Sequence, residues 1–481
     1  MDIDKNKIQG ENTTFFRFKK LRDKYLLTNT VGDFVFLSPG DFKNYLEGEL
    51  DKEGDVYKDL SAKGFISKES DKGREIKRYY SQTNLVFYGP ILHILVTTLK
   101  CDQSCIYCHA SAKDMGAKET DMNKKVAKAS LDKAFSTPSP LVILEMQGGE
   151  SLANWEMVEY ISNRAWQKAR DTGKDLELRL VTNLNLMDET KYNFLIENKI
   201  SLSTSIDGPK ELHERNRPHR LGKDNYEVVK KWIQRFKKDY PELEKKGYIW
   251  DLSGICVVSR YSLGYYKEIV DSYIELGLND IFFRPLNPFG ISEKTWQEVG
   301  YDSQEFLDFY KKALDYIVEK NKNGVFIVER FTKYFLWKIL KPTDPNMLEL
   351  RSPCGAGIGQ MAYNFNGDVY SCDEGRMVSM MGDESFRLGN VFQNTYEELV
   401  SSPVVRTLCT ASCLEGLPGC SDCVYLPYCG TCPIYNYIEQ GNIFPQMTKN
   451  ERCKMNKGIL DYLFEKFQDK ETKKILATWL E

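Results

Sequence analysis

Cys101, Cys105 and Cys108 stand in the stretch Leu-Lys-Cys-Asp-Gln-Ser-Cys-Ile-Tyr-Cys-His, directly after an apolar run from Ile91 to Leu99. Iron–sulfur clusters ordinarily take four cysteine thiolates, so a C-x3-C-x2-C trio with no fourth cysteine nearby leaves one iron of a four-iron cluster without a protein ligand. Such an iron is open to another molecule. A redox pair or a disulfide staple is the competing reading, but loops this short would strain any bridge.

A second group of cysteines gathers towards the C-terminus: Cys354, Cys372 in Gly367-x4-Cys372, then Cys420-x2-Cys423-x5-Cys429-x2-Cys432, then Cys453. Two C-x2-C pairs suit tetrahedral zinc. Only five residues separate the pairs, however, and three further cysteines would be left over. Cys256, in the strand-like Gly-Ile-Cys-Val-Val, reads as an inert core residue.

Composition limits the chemistry further. The formal charge of −3 and the 28% charged residues carry no basic excess that would favour nucleic acid, so small molecules or polypeptides are the expected substrates. The sequence shows no signal-peptide pattern and no apolar run of bilayer length. A cytoplasmic protein without nucleic-acid or membrane partners is expected, and in that compartment thirteen cysteines point to metal ligation rather than disulfides.

Elements must carry these residues to one place. At roughly 150 residues per domain, the 481 residues allow two to four domains. Residues 15–18, 24–28 and 34–37 read as short strands, with a hairpin turn at Asn29 to Asp33. Ser38 caps a helix from Pro39 towards Leu46, and a second runs from Val56 to Ala62. This resembles a winged-helix-like module; a plain extension packed on the barrel is the alternative. Then six strands are predicted at Ile91–Leu99, Leu141–Met146, Leu176–Thr182, Ile200–Ile206, Leu252–Val258 and Asp280–Arg284. Helices separate them, among them Lys124–Phe135, Trp155–Asp171 and Tyr226–Lys238. Repeated βα units imply a parallel sheet with right-handed crossovers, and sites in such barrels form at the C-terminal strand ends. The first cysteine loop falls there. So does Gln147-Gly148-Gly149-Glu150, where paired glycines permit close backbone approach and Glu150 could receive an ammonium group. Residues 303–340 read as two amphipathic helices around Asn323-Gly324, and Lys457 to Leu480 as a terminal helix.

In these features the chain resembles the radical S-adenosylmethionine (SAM) enzymes, with Tyr107 at the aromatic position before Cys108 and Gly-Gly-Glu after the second strand. The resemblance implies a [4Fe–4S] cluster on Cys101, Cys105 and Cys108, with SAM chelating the open iron. Reduction would cleave SAM to a 5′-deoxyadenosyl radical that abstracts hydrogen. Gln147, Gly148, Gly149 and Glu150 would meet the SAM amine, and Ser151 follows where the family usually has Pro. Asn183, after strand three, and Ser205 and Asp207, in Ser-Ile-Asp-Gly-Pro after strand four, would meet ribose and carboxylate; Arg215 and Arg217 follow. Loop capping is the ordinary alternative for each.

The C-terminal cysteines resemble the SPASM extension of peptide-modifying radical SAM enzymes. Carried over residue by residue, Cys420, Cys423, Cys429 and Cys453 would hold an outer auxiliary cluster, and Cys354, Cys372 and Cys432 an inner one. Cys413 or Cys409 could complete the inner set, or it could stay open to substrate. Asp373, directly after Cys372, matches an acid that acts as general base in sulfatase maturases. Over nearly the whole length the chain is most similar to maturases of the His-Xaa-Ser peptide system.

The expected architecture is therefore α/β: a partial (β/α)6 TIM-like barrel with an N-terminal winged-helix-like peptide-recognition module and a C-terminal SPASM iron–sulfur domain. The divisions fall at 1–85, 86–345, 346–456 and 457–481. The resemblance implies a precursor peptide whose leader adds to an exposed sheet edge, a carbon crosslink as product, and an external electron donor such as flavodoxin or ferredoxin. Oxidation of Cys or Ser to formylglycine is the alternative activity, and a non-catalytic electron-transfer protein the alternative class.

Overall fold

The computed structural model describes residues 13–67, 71–248 and 251–481. The first unit is an antiparallel sheet of β1 (Arg17–Leu21), β2 (Lys24–Thr28) and β3 (Phe34–Leu37), so the first strand lies slightly later than its predicted span. Helices α1 (Pro39–Glu47) and α2 (Asp55–Ala62) cover one face. Ser38 caps α1 by accepting from the Asp41 N–H, and Leu27, Val35 and Leu37 bury against Phe42, Tyr45, Leu60 and Phe65. A helix not foreseen, α3 (Lys72–Thr83), is tied to the β2–β3 turn by ion pairs from Arg74 and Arg78 to Asp33.

All six predicted barrel strands form: β4 (Leu92–Thr98), β5 (Leu141–Gly148), β6 (Asp175–Val181), β7 (Ile200–Ser205), β8 (Ser253–Val258) and β9 (Asp280–Pro285). They pair in parallel and in chain order. Their alternation explains the packing. Val142, Leu144 and Met146, then Leu176, Leu178 and Leu180, bury in the apolar shell. The intervening Glu145, Gln147 and Arg179 turn to the barrel interior.

The shell consists of α4 (Lys124–Phe135), α5 (Trp155–Thr172), α6 (Glu189–Glu197), α7 (Lys210–Asn216), α8 (Tyr226–Lys245) and α9 (Tyr266–Glu275). Beyond β9 lie α10 (Ile291–Val299), α11 (Ser303–Lys322), strand β10 (Val328–Glu329) and α12 (Arg330–Leu340).

The partial barrel is not bounded by six strands. β10 adds in parallel to β9 at one edge. At the other, β11 (Gln360–Tyr363) adds in parallel to β4, followed by the antiparallel β12 (Asp368–Tyr370) and β13 (Arg387–Asn390). One sheet thus runs β10-β9-β8-β7-β6-β5-β4-β11-β12-β13, and the division expected at residue 346 cuts through it. Short helices α13 (Asp373–Ser379), α14 (Tyr396–Val400), α15 (Pro403–Ser412) and α16 (Pro433–Gln440) complete this region. The terminal helix is two helices, α17 (Glu451–Lys466) and α18 (Lys470–Thr478), and α17 starts early enough to carry Cys453.

The N-terminal sheet rests on the C-terminal region rather than on the barrel wall. Phe34 packs on Phe464 of α17 at 5.1 Å between ring centroids, Thr28 Oγ1 donates to the Val424 carbonyl at 2.7 Å, and Arg17 Nε to that of Ser421 at 2.6 Å. Among the described residues no helix is long and apolar enough to cross a membrane.

The β4–β11 seam contains a buried imidazole. His93 is fully buried, its Nδ1 3.1 Å from the Tyr363 hydroxyl, and burial first, with Lys174 adding to it, lowers its pKa to about 3. The folded state therefore resists protonation that the unfolded chain accepts at about 6.5. The stability this gives is complete above that value and is lost as pH falls towards 3. Relative to wild type, His93→Gln is predicted to flatten the acid limb of urea-denaturation stability by about 1.4 kcal/mol per pH unit across that window, read by tryptophan fluorescence of the cluster-free chain.

Candidate active site

The cysteine loop is fixed by backbone contacts from other βα units. Cys101 N donates to the Lys113 carbonyl at 2.9 Å, and Lys113 N returns to Leu99 at 2.7 Å. The strap after α7 runs beneath the loop: Ser104 N donates to the Pro218 carbonyl at 2.9 Å and Ile106 N to that of Asn216 at 3.0 Å. Arg220 Nε donates to the Cys101 carbonyl at 2.9 Å. From the far side, Ile291 N at the start of α10 donates to the Cys108 carbonyl at 2.9 Å, and Thr295 Oγ1 to that of Ile106 at 2.9 Å. Three thiols are thus presented from a loop held on several sides.

The Gly-Gly-Glu segment, expected at the SAM amine, packs on the cysteine loop. What approaches the glycines is the chain's own backbone: a Cβ on Gly149 would lie 2.4 Å from the Leu99 carbonyl oxygen and 2.5 Å from that of Lys100, and one on Gly148 2.0 Å from that of Thr98. Gly149 N and Glu150 N donate to the Thr98 and Lys100 carbonyls at 2.8 and 2.7 Å. The segment clasps the root of the cysteine loop. Glu150 is buried, and its carboxylate accepts from Asn183 N at 2.6 Å, Thr182 Oγ1 at 2.7 Å and Leu152 N at 2.9 Å. It joins the ends of β5 and β6; burial lifts its pKa to about 7 against those three donors.

Asp207 and Arg217, expected at the cofactor, pair with each other. Asp207 is fully buried, with Arg217 Nε at 3.1 Å. It accepts from the Tyr107 hydroxyl, from Asn216 Nδ2 at 3.2 Å and from Val257 N at 3.2 Å. Arg217 also lies over the Tyr107 ring, 5.3 Å from its centroid. Tyr107 is thereby an anchor for the loop between Cys105 and Cys108. Arg215 turns outwards over Tyr261 at 3.4 Å. Asn183 Nδ2 donates to Asp102 Oδ1 at 2.8 Å and lies 3.8 Å from Cys101 Sγ. Ser205 ends β7 half-buried with no hydrogen-bond partner among the described residues.

Behind this rim the barrel encloses a cavity of about 430 Å³. It extends from Gln147, beside the glycine pair, to Asp373 and Glu374, beside Cys372. Arg284 spans it, 2.6 Å from Glu349 and 3.4 Å from Glu374. Burial raises the Glu145 pKa; Arg179 opposes that and Asp373 adds to it. Asp373 Oδ1 is taken by Arg376, with both Nε and the NH2 nitrogen at 2.8 Å. The sequence reading missed Glu145, Arg179, Arg284 and Glu374. Charged residues at alternate positions of otherwise apolar parallel strands, as in Leu-Glu-Met-Gln and Leu-Glu-Leu-Arg, were the available signal.

The C-terminal cysteines lie in two surroundings. Cys420, Cys423, Cys429 and Cys453 wall a single cavity; they surround a space rather than a point, and among the described residues no group of three or more His, Cys, Asp or Glu is gathered to hold a single ion. Cys354 and Cys372 bury in one apolar cluster with Cys432 packed against it. Cys354, Cys372 and Cys432 interact electrostatically. Cys413 interacts with Cys409, four residues back on α15, and with Glu415. The contact between α15 and Cys354 is made by Ser412, whose Oγ accepts from Cys354 N at 2.9 Å. The donor sets suit iron–sulfur clusters: three thiols on the barrel, four in the outer cavity and three in the inner pocket.

Residues 95–249 match the family model described as the radical SAM superfamily. The chain is 25% identical over 373 residues to the serine-type anaerobic sulfatase-maturating enzyme of Bacteroides thetaiotaomicron, covering 72% of this chain and 84% of the relative. It is 25% identical over 375 residues to a cysteine-type enzyme of Clostridium perfringens, covering 76% and 93%. Among solved structures, native anSMEcpe with bound AdoMet and Kp18Cys peptide superposes with a TM-score of 0.64 at 22% identity, over 80% of this chain and all of that one. Streptococcus suis SuiB bound to its precursor peptide SuiA gives 0.52 at 15%, over 90% and 98%. Residues 95–249 are thus similar to the radical SAM superfamily, and the chain as a whole is similar to anaerobic sulfatase-maturating enzymes.

Gly149→Ala is predicted to dislodge the cysteine loop, since the added methyl meets two carbonyls that cannot rotate away. Iron and sulfide bound after reconstitution should fall and SAM cleavage should be lost, whereas Gly173→Ala, at a helix end with nothing near its Cβ position, keeps its full complement of iron.

Proposed function

We propose that this protein is a radical SAM enzyme that abstracts hydrogen from carbon in a ribosomally made precursor peptide and joins two of its side chains. One observation carries the reading: the cavity that starts at Gln147 ends at Asp373, so a substrate lodged in it would lie between the first cysteine loop and the inner cysteine set. A [4Fe–4S] cluster on Cys101, Cys105 and Cys108 with SAM on its open iron supplies reductive SAM cleavage and hydrogen abstraction. Cys354, Cys372 and Cys432, and Cys420, Cys423, Cys429 and Cys453, would hold the two auxiliary clusters, to which the electron left after bond formation would pass.

The chain's own groups do the rest. Glu150, Thr182 and Asn183 lock the ends of β5 and β6 beside the thiols, leaving the half-buried Ser205 hydroxyl free for SAM. Ile143, Phe282 and Tyr334 give the cavity its apolar wall. Glu145 and Asp373 are the carboxylates placed to take the proton that leaves the substrate. An external donor, flavodoxin or ferredoxin, would supply the electron. The N-terminal sheet is the candidate leader-peptide platform. SuiB, solved with a precursor peptide, matches 90% of this chain and anSMEcpe 80%, a wider coverage that a shared N-terminal module would produce.

A second reading, oxidation of Cys or Ser to formylglycine, is favoured by the Cys372-Asp373 pair at the cavity and by the curated relatives. Anaerobic incubation of reconstituted protein with SAM and dithionite separates them. 5′-Deoxyadenosine is expected, and none from Cys101→Ala/Cys105→Ala/Cys108→Ala. A precursor peptide encoded beside the gene should lose two hydrogens by mass spectrometry, while a sulfatase-derived Cys peptide stays unchanged. Conversion of the sulfatase peptide to a hydrazide-reactive aldehyde would establish the second reading instead.

A further inference from the structure

Helix α17 brings three kinds of group to the outer cysteine cavity. Asn450 caps it by accepting from Cys453 N at 2.8 Å, which fixes the first turn. Cys453 and Lys457, four residues apart, then share a face with Asn456 between them. Asn456 is buried, its Nδ2 donating to Cys429 Sγ at 3.6 Å. Lys457 lines the same cavity as all four cysteines and interacts electrostatically with Cys453, Cys423, Cys420 and Cys429.

Lys457 also differs from its neighbours. Lys454 pairs with Glu451, and Lys466 with Asp315. Lys457, half-buried, makes no ion pair with a carboxylate among the described residues. A partly buried ammonium without a carboxylate needs another negative partner, and the thiols beside it become one when they ligate iron as thiolates.

We propose that Lys457, assisted by Asn456, is a positioning residue that raises the reduction potential of an iron–sulfur cluster on Cys420, Cys423, Cys429 and Cys453. The inference rests on the reading of those four cysteines as a cluster site. One-electron reduction adds a negative charge to a cluster that already carries four thiolates. A fixed cation in the same cavity favours the reduced form, and an N–H donor on a ligand sulfur does the same.

The test is an anaerobic potentiometric titration of the full reconstituted chain followed by electron paramagnetic resonance. Lys457→Met should move one cluster's midpoint to a more negative potential and leave the others in place; Lys457→Arg should restore it, and Asn456→Leu should give a smaller shift of the same sign. Unchanged midpoints in Lys457→Met with wild-type iron and sulfide content would overturn the inference. Should Met disturb cluster loading, the neutral Lys457→Gln repeats the comparison. Cys420→Ala/Cys423→Ala tests the underlying reading separately: this variant should lose one cluster's worth of iron, and retention of all the iron would remove the cluster site itself.

Discussion

Three thiols can share one cluster and leave an iron free only if the backbone that carries them keeps its shape. Here that shape comes from hydrogen bonds to loops far away in sequence. The glycine pair after β5 clasps residues 98–100, the strap at 216–220 lies under residues 101–106, and the start of α10 closes on Cys108. Because these loops all leave the C-terminal ends of neighbouring parallel strands, the barrel is what lets them converge. The elements that read most plainly as fold are therefore also what holds the site.

Burying charge is the cost of that arrangement. Asp207, Arg217 and Tyr107 form a closed set under the cysteine loop. Breaking such a pair from one side leaves an uncompensated charge at a cost of about 3–5 kcal/mol, so the set works as an anchor rather than as a source of net stability. Glu150 plays a similar part between β5 and β6. The cavity deeper in the barrel carries Arg284 with Glu349 and Glu374, and Asp373 and Glu374 at its wall directly follow Cys372 in the chain. The C-terminal region could not be removed without exposing the β4 edge, since β11 completes that side of the sheet.

Much of this was legible in the sequence, for physical reasons that differ by element. Six parallel strands and helices such as Lys124–Phe135 have long periodic patterns and clear caps; Asn123 accepts from two N–H groups at the start of α4. The first cysteine trio reads from its own spacing, which is local chemistry, whereas the division of the C-terminal cysteines into two sets rested on the resemblance to the SPASM extension. β10, of two residues, and β11, of four, are too short to carry a period, so the extension of the sheet at both edges was not visible. Gly148 and Gly149 were read as room for a ligand, and nothing local distinguishes that from room for a neighbouring loop. Asp207 and Arg217 were expected at the cofactor, and their pairing with each other is a contact ten residues apart that no local pattern announces.

The central claim is that the protein shapes the three-thiol loop before any iron arrives. Amide hydrogen exchange of the cluster-free chain, resolved over residues 98–113, tests it most directly. The backbone amides of Leu99, Cys101, Ser104, Ile106 and Lys113 each have a carbonyl acceptor outside or across the loop, so the account predicts exchange as slow as in β4. Exchange at the rate of an unstructured peptide, slowing only when iron and sulfide are added, would contradict it and make the cluster itself the organiser of the loop.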